Sequence, residues 1–176
     1  IKTHTSTTRL LIAARWVGGG SVSCSFLHGL LCAGLSSGAD LAITVLLRVI
    51  QLVKCIPPKM WFTIDGGSEN NNKTMFAFSS FLLREHDHMK ELWLVRMSVG
   101  HTHILNIDRS FGGIVSHIVG VKGSDPGKPV LTPEGLKDAI KCAWESLCEG
   151  KVVVESINYT WAWTKLFKPH IDKAFG

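Results

Sequence analysis

Apolar positions recur at two spacings along the chain, and the switches between them mark its elements. In "GADLAITVLLRVIQLV", Leu41, Val45, Leu46, Val49 and Val53 fall on one side of a helix. Pro57-Pro58 ends the connection that follows. "KMWFTID" is then a short aromatic and β-branched strand that runs into Gly66-Gly67. "NNNKTMFAFSSFLLREH" predicts a helix burying Met75, Phe78, Phe81 and Leu82. "ELWLVRMSV" is a nearly continuous apolar strand, the pattern expected where both faces are covered. Ile107, Phe111, Ile114, Val115 and Ile118 make a further helical stripe, which Gly112-Gly113 weakens by about 1 kcal/mol per glycine. After the loop "GVKGSDPGKPVL", Thr132 is placed to cap a helix that opens with Pro133 and carries Leu136, Ile140, Ala143, Trp144 and Leu147. "KVVVESI" is a late strand, and "NYTWAWTKLFKPHIDKAFG" reads as a helical or irregular cover.

The segment before residue 36 differs. "STTRLLIAARWVGGGSVSCSFLHGLLCAGL" is rich in glycine and serine with weak periodicity, enough for two or three short strands. From residue 36 the order is helix, strand, helix, strand, helix, which implies an α/β fold with right-handed crossovers. With strands ahead of it, this order resembles a ribonuclease-H-like fold: a mixed sheet flanked by helices, with an eroded N-terminal part.

Composition adds bounds. The 176 residues suit one domain with a sizeable core, and 45% apolar against 19% charged residues rules out a disordered or polyelectrolyte chain. The net charge of +5 is uneven: residues 1–60 hold Lys2, Arg9, Arg15, Arg48, Lys54 and Lys59 against a single acid, Asp40. Such a basic excess can meet phosphates by releasing counterions, but six charges over sixty positions form no patch. The five cysteines contain no CxxC pair, which argues against a disulfide framework or structural zinc site and suits a reducing, intracellular compartment, the nucleus among them. Trp16 to Ala39 carries no formal charge and is long enough to span a bilayer. Its six glycines, five serines and His28 fit a buried, glycine-softened segment better than a membrane span. The chain begins with Ile1 and reads as a fragment, so no signal peptide is expected in it.

Chemistry in a parallel α/β sheet sits beyond the carboxyl ends of the strands. Two such places carry reactive side chains. Asp65 ends the "MWFTID" strand, and the two glycines after it let the backbone turn away. His101 and His103 end the "LWLVRMSV" strand, and period-two alternation puts both on one face. If these strands are neighbours, Asp65 and the histidines converge, and Asp108 from the next helix can join them. A carboxylate pair there suits Mg²⁺ or Mn²⁺, and two such ions can clamp the attacking and leaving oxygens of a phosphodiester. The histidines can instead ligate a softer metal or act as a general base. The alternative is structural: Asp65 as a turn former, His101 and Thr102 bonding local backbone, and Asp108 stabilising a helix N-terminus. The "HDH" at 86–88 reads as a solvated helix C-cap.

Two motifs carry a resemblance. "IDGGSENNNKTMFAFSSFLL", followed by "VGHTHILNIDRSFGGI", resembles an uncharacterised, transposon-associated domain family with a D…E-N…F block and a G-H-T-H-E-D-I-D motif. "LFKPHIDKAFG" is similar to the family's C-terminal end, so the resemblance spans roughly residues 38–176. It implies a ribonuclease-H-like transposase or integrase relative. Asp65 is then the second-strand acid, Glu69 and Asn70 match the block after it, and His101, His103 and Asp108 match the second motif. Residues 36–176 become a transposase-like α/β domain behind a poorly defined segment, 1–35, with DNA as the implied partner.

Two departures bear on activity. Ile104-Leu105-Asn106 replaces the family's E-D, which removes one acid and lengthens the spacing by a residue. Within a helix that would rotate Asp108 by about 100°. A two-metal site also needs a carboxylate from the first strand, and residues 1–39 contain no Asp or Glu. The expectation is therefore a degenerate or truncated nuclease-like domain, with Asp65, Asp108 and His103 as catalytic candidates and all four residues as metal candidates. The alternatives are a non-catalytic binding or scaffold domain, and a histidine-ligated metalloenzyme.

Overall fold

A computed structural model describes residues 9–18, 21–29, 38–52, 56–64, 72–96, 115–116, 132–147, 151–157 and 159–175. In chain order the elements are β1 (Arg9–Gly18), β2 (Ser21–Gly29), α1 (Ala39–Leu52), β3 (Lys59–Ile64), α2 (Lys73–Glu85), β4 (Glu91–Arg96), α3 (Pro133–Leu147), β5 (Lys151–Ile157) and α4 (Trp163–Phe175). The chain divides into two compact units, Ile1–Ala33 with Thr102–Asn158, and Gly34–His101 with Tyr159–Gly176.

The second unit contains α1, β3, α2, β4 and α4. Gly38 sets the start of α1 at φ +135°, a backbone region that side chains disfavour, and its carbonyl accepts from the N–H groups of Leu41 and Ala42. α2 begins where the Asn72 side chain accepts from the Met75 N–H at 3.0 Å, and it stops at His86. β3 and β4 pair in parallel from Lys59↔Glu91 to Ile64↔Arg96, and α2 is the crossover that parallel pairing requires. The Pro58 carbonyl fixes this register at its start by accepting from Lys90 (2.7 Å) and Glu91 (3.1 Å).

Ile43, Leu46 and Ile50 of α1, Phe62 of β3, Met75, Phe78 and Leu82 of α2, and Trp163 and Phe167 of α4 form one buried cluster. The spacings 43/46/50 and 75/78/82 each trace one helix face, which is why these residues meet. Leu41, Val45 and Val49 are buried as well, so α1 is enclosed on more than the single side its pattern predicts. At the centre, Phe78 meets Trp163 edge-on at 5.5 Å, and Trp163 stacks on Phe167 at 6.0 Å.

The first unit is built on a three-stranded antiparallel sheet of order β2-β1-β5. Gly18 pairs with Ser21 and Arg9 with Ile157, so β1 is the central strand. α3 begins as its sequence predicts: the Thr132 hydroxyl accepts from the Gly135 N–H at 3.0 Å. Ile140, Ala143 and Trp144 of α3 and Ile157 of β5 are buried.

The alternation of helices and strands makes this an α/β protein. The finer ribonuclease-H-like arrangement, a single mixed sheet, is not what the described strands form. They make an antiparallel three-stranded sheet and a separate parallel pair. The N-terminal part is two strands of 10 and 9 residues, so much of the uncharged stretch 16–39 is extended and paired. Among the described residues, no helix is long and apolar enough to cross a membrane. Three burial expectations change. Phe81 is 38% exposed because it lies one residue off the 75/78/82 stripe. β4 is not covered on both faces, since Trp93 and Val95 are exposed. Val115, the one described apolar residue of the 107–118 stripe, is exposed too.

Candidate functional site

Parallel, in-register pairing makes β3 and β4 leave their sheet side by side at Ile64 and Arg96. That is the condition on which convergence of the two sequence motifs depends. Asp65 directly follows Ile64, and Met97 to Gly100 separate Arg96 from His101. Asp65, Glu69, Asn70, His101, His103 and Asp108 all lie outside the described residues. Among the described residues no group of three His, Cys, Asp or Glu side chains is placed to hold a metal ion.

At the amino end of the same strand pair, the described chemistry is a short polar chain. The Lys59 ammonium meets Glu91 at 2.6 Å, and the Trp93 indole N–H donates to the other Glu91 oxygen at 3.1 Å. The hydrogen bond from Lys59, and after it the one from Trp93, holds the Glu91 carboxyl below the usual carboxylate range. Period-two alternation puts Lys59 and Trp61 on one face of β3, and Glu91, Trp93 and Val95 on the matching face of β4. Trp61 and Trp93 are register partners, 60% and 53% exposed.

A second polar cluster joins α1 to α4. The Thr44 hydroxyl donates to the Asp40 carbonyl at 2.7 Å. It accepts from the Trp163 indole N–H at 3.1 Å and from the Trp161 N–H at 3.3 Å. One hydroxyl hydrogen and two lone pairs are thereby all used. The Asp40 carboxylate caps α4, accepting the Thr164 N–H at 2.6 Å and the Thr164 hydroxyl at 2.8 Å. Sequence reasoning missed this cluster, although Asp40 had a signal of its own as the one acid among residues 1–60. The His86 and His88 rings meet edge-on at 5.9 Å where α2 ends, and His86 donates its N–H to the Leu82 carbonyl, as the C-cap reading expects.

A family model described as Domain of unknown function (DUF7869) matches residues 21–175. The chain belongs to this family. The match takes in β2 and all later elements, so the family's domain draws on both compact units. Comparison with curated proteins and with solved structures finds no match.

Proposed function

We propose that this DUF7869 member is a degenerate, transposon-derived nuclease-like domain that retains affinity for nucleic acid or a divalent cation and is impaired in catalysis. The single observation that supports the reading most is the parallel pairing of β3 with β4, which brings the strand preceding Asp65 and the strand preceding the His101 motif to one sheet edge. In this reading Asp65 is the principal acid. His101, His103 and Asp108 are the further candidates for ligation of Mg²⁺ or Mn²⁺ or for proton transfer. The impairment is what the ribonuclease-H-like resemblance implies, since that pattern calls for a first-strand carboxylate and residues 1–39 hold none.

The test is cleavage of supercoiled plasmid in Mn²⁺ by the full chain, beside Asp65→Ala. The reading expects slow nicking, lost in the variant, and a Mn²⁺-induced rise in melting temperature that the variant lacks. Robust cleavage that survives Asp65→Ala discards the assignment. A melting temperature indifferent to Mn²⁺ in both proteins favours the non-catalytic scaffold instead.

A further inference from the structure

Outside the strand-end motifs, exposed aromatic residues and a basic excess adjoin in the chain where it enters α4. Tyr159 and Trp161 are 63% and 57% exposed, with ring centroids 5.9 Å apart and an interplanar angle of 73°. Packed edge to face, the two rings leave ring surface uncovered by the pair. Trp161 in turn lies 6.4 Å from the buried Trp163, so aromatic contact runs from the core of the unit out to the surface. The backbone beneath is fixed, because the Trp161 N–H is bonded to Thr44 and Thr164 to Asp40. An exposed indole on an anchored backbone loses little further freedom when a flat ligand stacks on it.

The adjoining helix carries the complementary charge. Lys165, Lys168 and Lys173 of α4 are exposed against one acid, Asp172, which pairs with Lys168 at 3.2 Å. Lys165 and Lys168 are one turn apart and share a helix face. The other nearby carboxylate, Asp40, is engaged by both donors of Thr164.

We propose that Tyr159 and Trp161, with Lys165 and Lys168, form a stacking platform for single-stranded nucleic acid. Aromatic rings take up successive bases without regard to sequence, while flanking ammonium groups follow the phosphates. A duplex keeps its bases stacked internally and offers the rings nothing. The inference rests on the nucleic-acid part of the reading above, and it needs neither Asp65 nor a metal.

The experiment is fluorescence anisotropy of a labelled oligothymidylate, and of a duplex of equal length, titrated with the full chain over a range of salt. Binding is expected to favour the single strand. Trp161→Ala weakens it by about tenfold or more, and Trp161→Phe restores most of the loss. Lys165→Gln with Lys168→Gln lowers the slope of log affinity against log salt by about 1.4. Single-strand binding is titrated in EDTA, whereas cleavage is assayed in Mn²⁺, so absence of Mn²⁺-dependent cleavage and absence of this platform are separate results. Equal affinity for the duplex overturns the proposal, as does unaltered binding by both Trp161→Ala and the lysine double variant. A Trp161→Ala change that alters only the protein's own oligomeric state also overturns it, since the rings would then serve a second copy of the chain.

Discussion

The two faces of the β3–β4 pair both carry large apolar side chains, and these have opposite fates. Phe62 is buried on the inner face, where Met60, Leu92 and Leu94 pack against the cluster made with α1, α2 and α4. The outer face presents Trp61, Trp93 and Val95 to solvent. Apolar character alone therefore does not say which side of a strand is covered. The outer face is organised by pairing across the strands: Lys59 with Glu91, Trp61 beside Trp93, and the Trp93 indole bonded to Glu91. Such cross-strand pairs contribute to register, whereas inner-face burial supplies about 1.5–3 kcal/mol for a fully buried phenylalanine.

Phe62→Ala tests the larger half of that contrast. Removing a ring from the inner face is expected to cost about 3–5 kcal/mol in chemical denaturation, enough to leave a marginal protein largely unfolded. A cost below about 1 kcal/mol would show that the inner face is not core at all.

An intermediate effect is expected one layer further in, where the same cluster depends on a polar contact. Thr44→Val keeps the shape of the side chain and removes its hydroxyl, which leaves the buried Trp163 indole N–H without its acceptor. The expected loss is about 1–3 kcal/mol, and Thr44→Ser should recover most of it. If valine is tolerated as well as serine, packing and the Asp40–Thr164 bonds hold α4 to α1 without the Thr44 hydroxyl.

On the outer face, Trp61→Ala is expected to change stability by no more than about 0.5–1 kcal/mol, despite removing the largest of side chains. Thermal melts of Trp61→Ala and Phe62→Ala, adjacent residues on opposite faces, give the contrast directly. Equal losses would mean that the outer face is covered in solution.

These differences mark how far the fold is legible in the sequence. α2 announces itself by its 75/78/82 stripe, and α3 by 140/143/144 together with the Thr132 cap. β4 shows itself as a strand but not which of its faces is covered, because "LWLV" is apolar at every position and alternation has nothing to alternate with. Phe81 sits about 100° around the helix from Leu82 and half reaches Phe167, at 5.9 Å, which a count of apolar residues scores as burial. The Thr44–Trp163 bond joins residues 119 positions apart, and a long-range polar contact leaves no local pattern. Two apolar runs joined by one helical pattern suggest parallel neighbours, and β3 and β4 are parallel neighbours. Division of the strands into two sheets, with β5 returning to β1, depends on pairings that no single segment encodes. Of the candidate site, the strands leading to it were legible, whereas Asp65, His101, His103 and Asp108 themselves lie outside the described residues.

The smallest expected effect lies in the polar chain at the edge of the outer face. Glu91 has its folded pKa depressed below the ordinary 4.5, first by the Lys59 hydrogen bond and then by that from Trp93. A depressed carboxylate pKa contributes stability that is fully present above the unfolded value and is lost as pH falls through the folded one. The outer-face contribution should therefore be intact at neutral pH and disappear only in acid below 4.5. Because the pair is exposed, added salt should weaken it wherever Glu91 is ionised. Carboxyl NMR titration of Glu91 reads this without reference to global unfolding. Lys59→Met should return the midpoint most of the way to its ordinary value, and Trp93→Phe by a smaller step. If Trp93→Phe has the larger effect, the indole rather than the ammonium fixes Glu91. The outer face would then be organised by its aromatic residues, with the ion pair secondary.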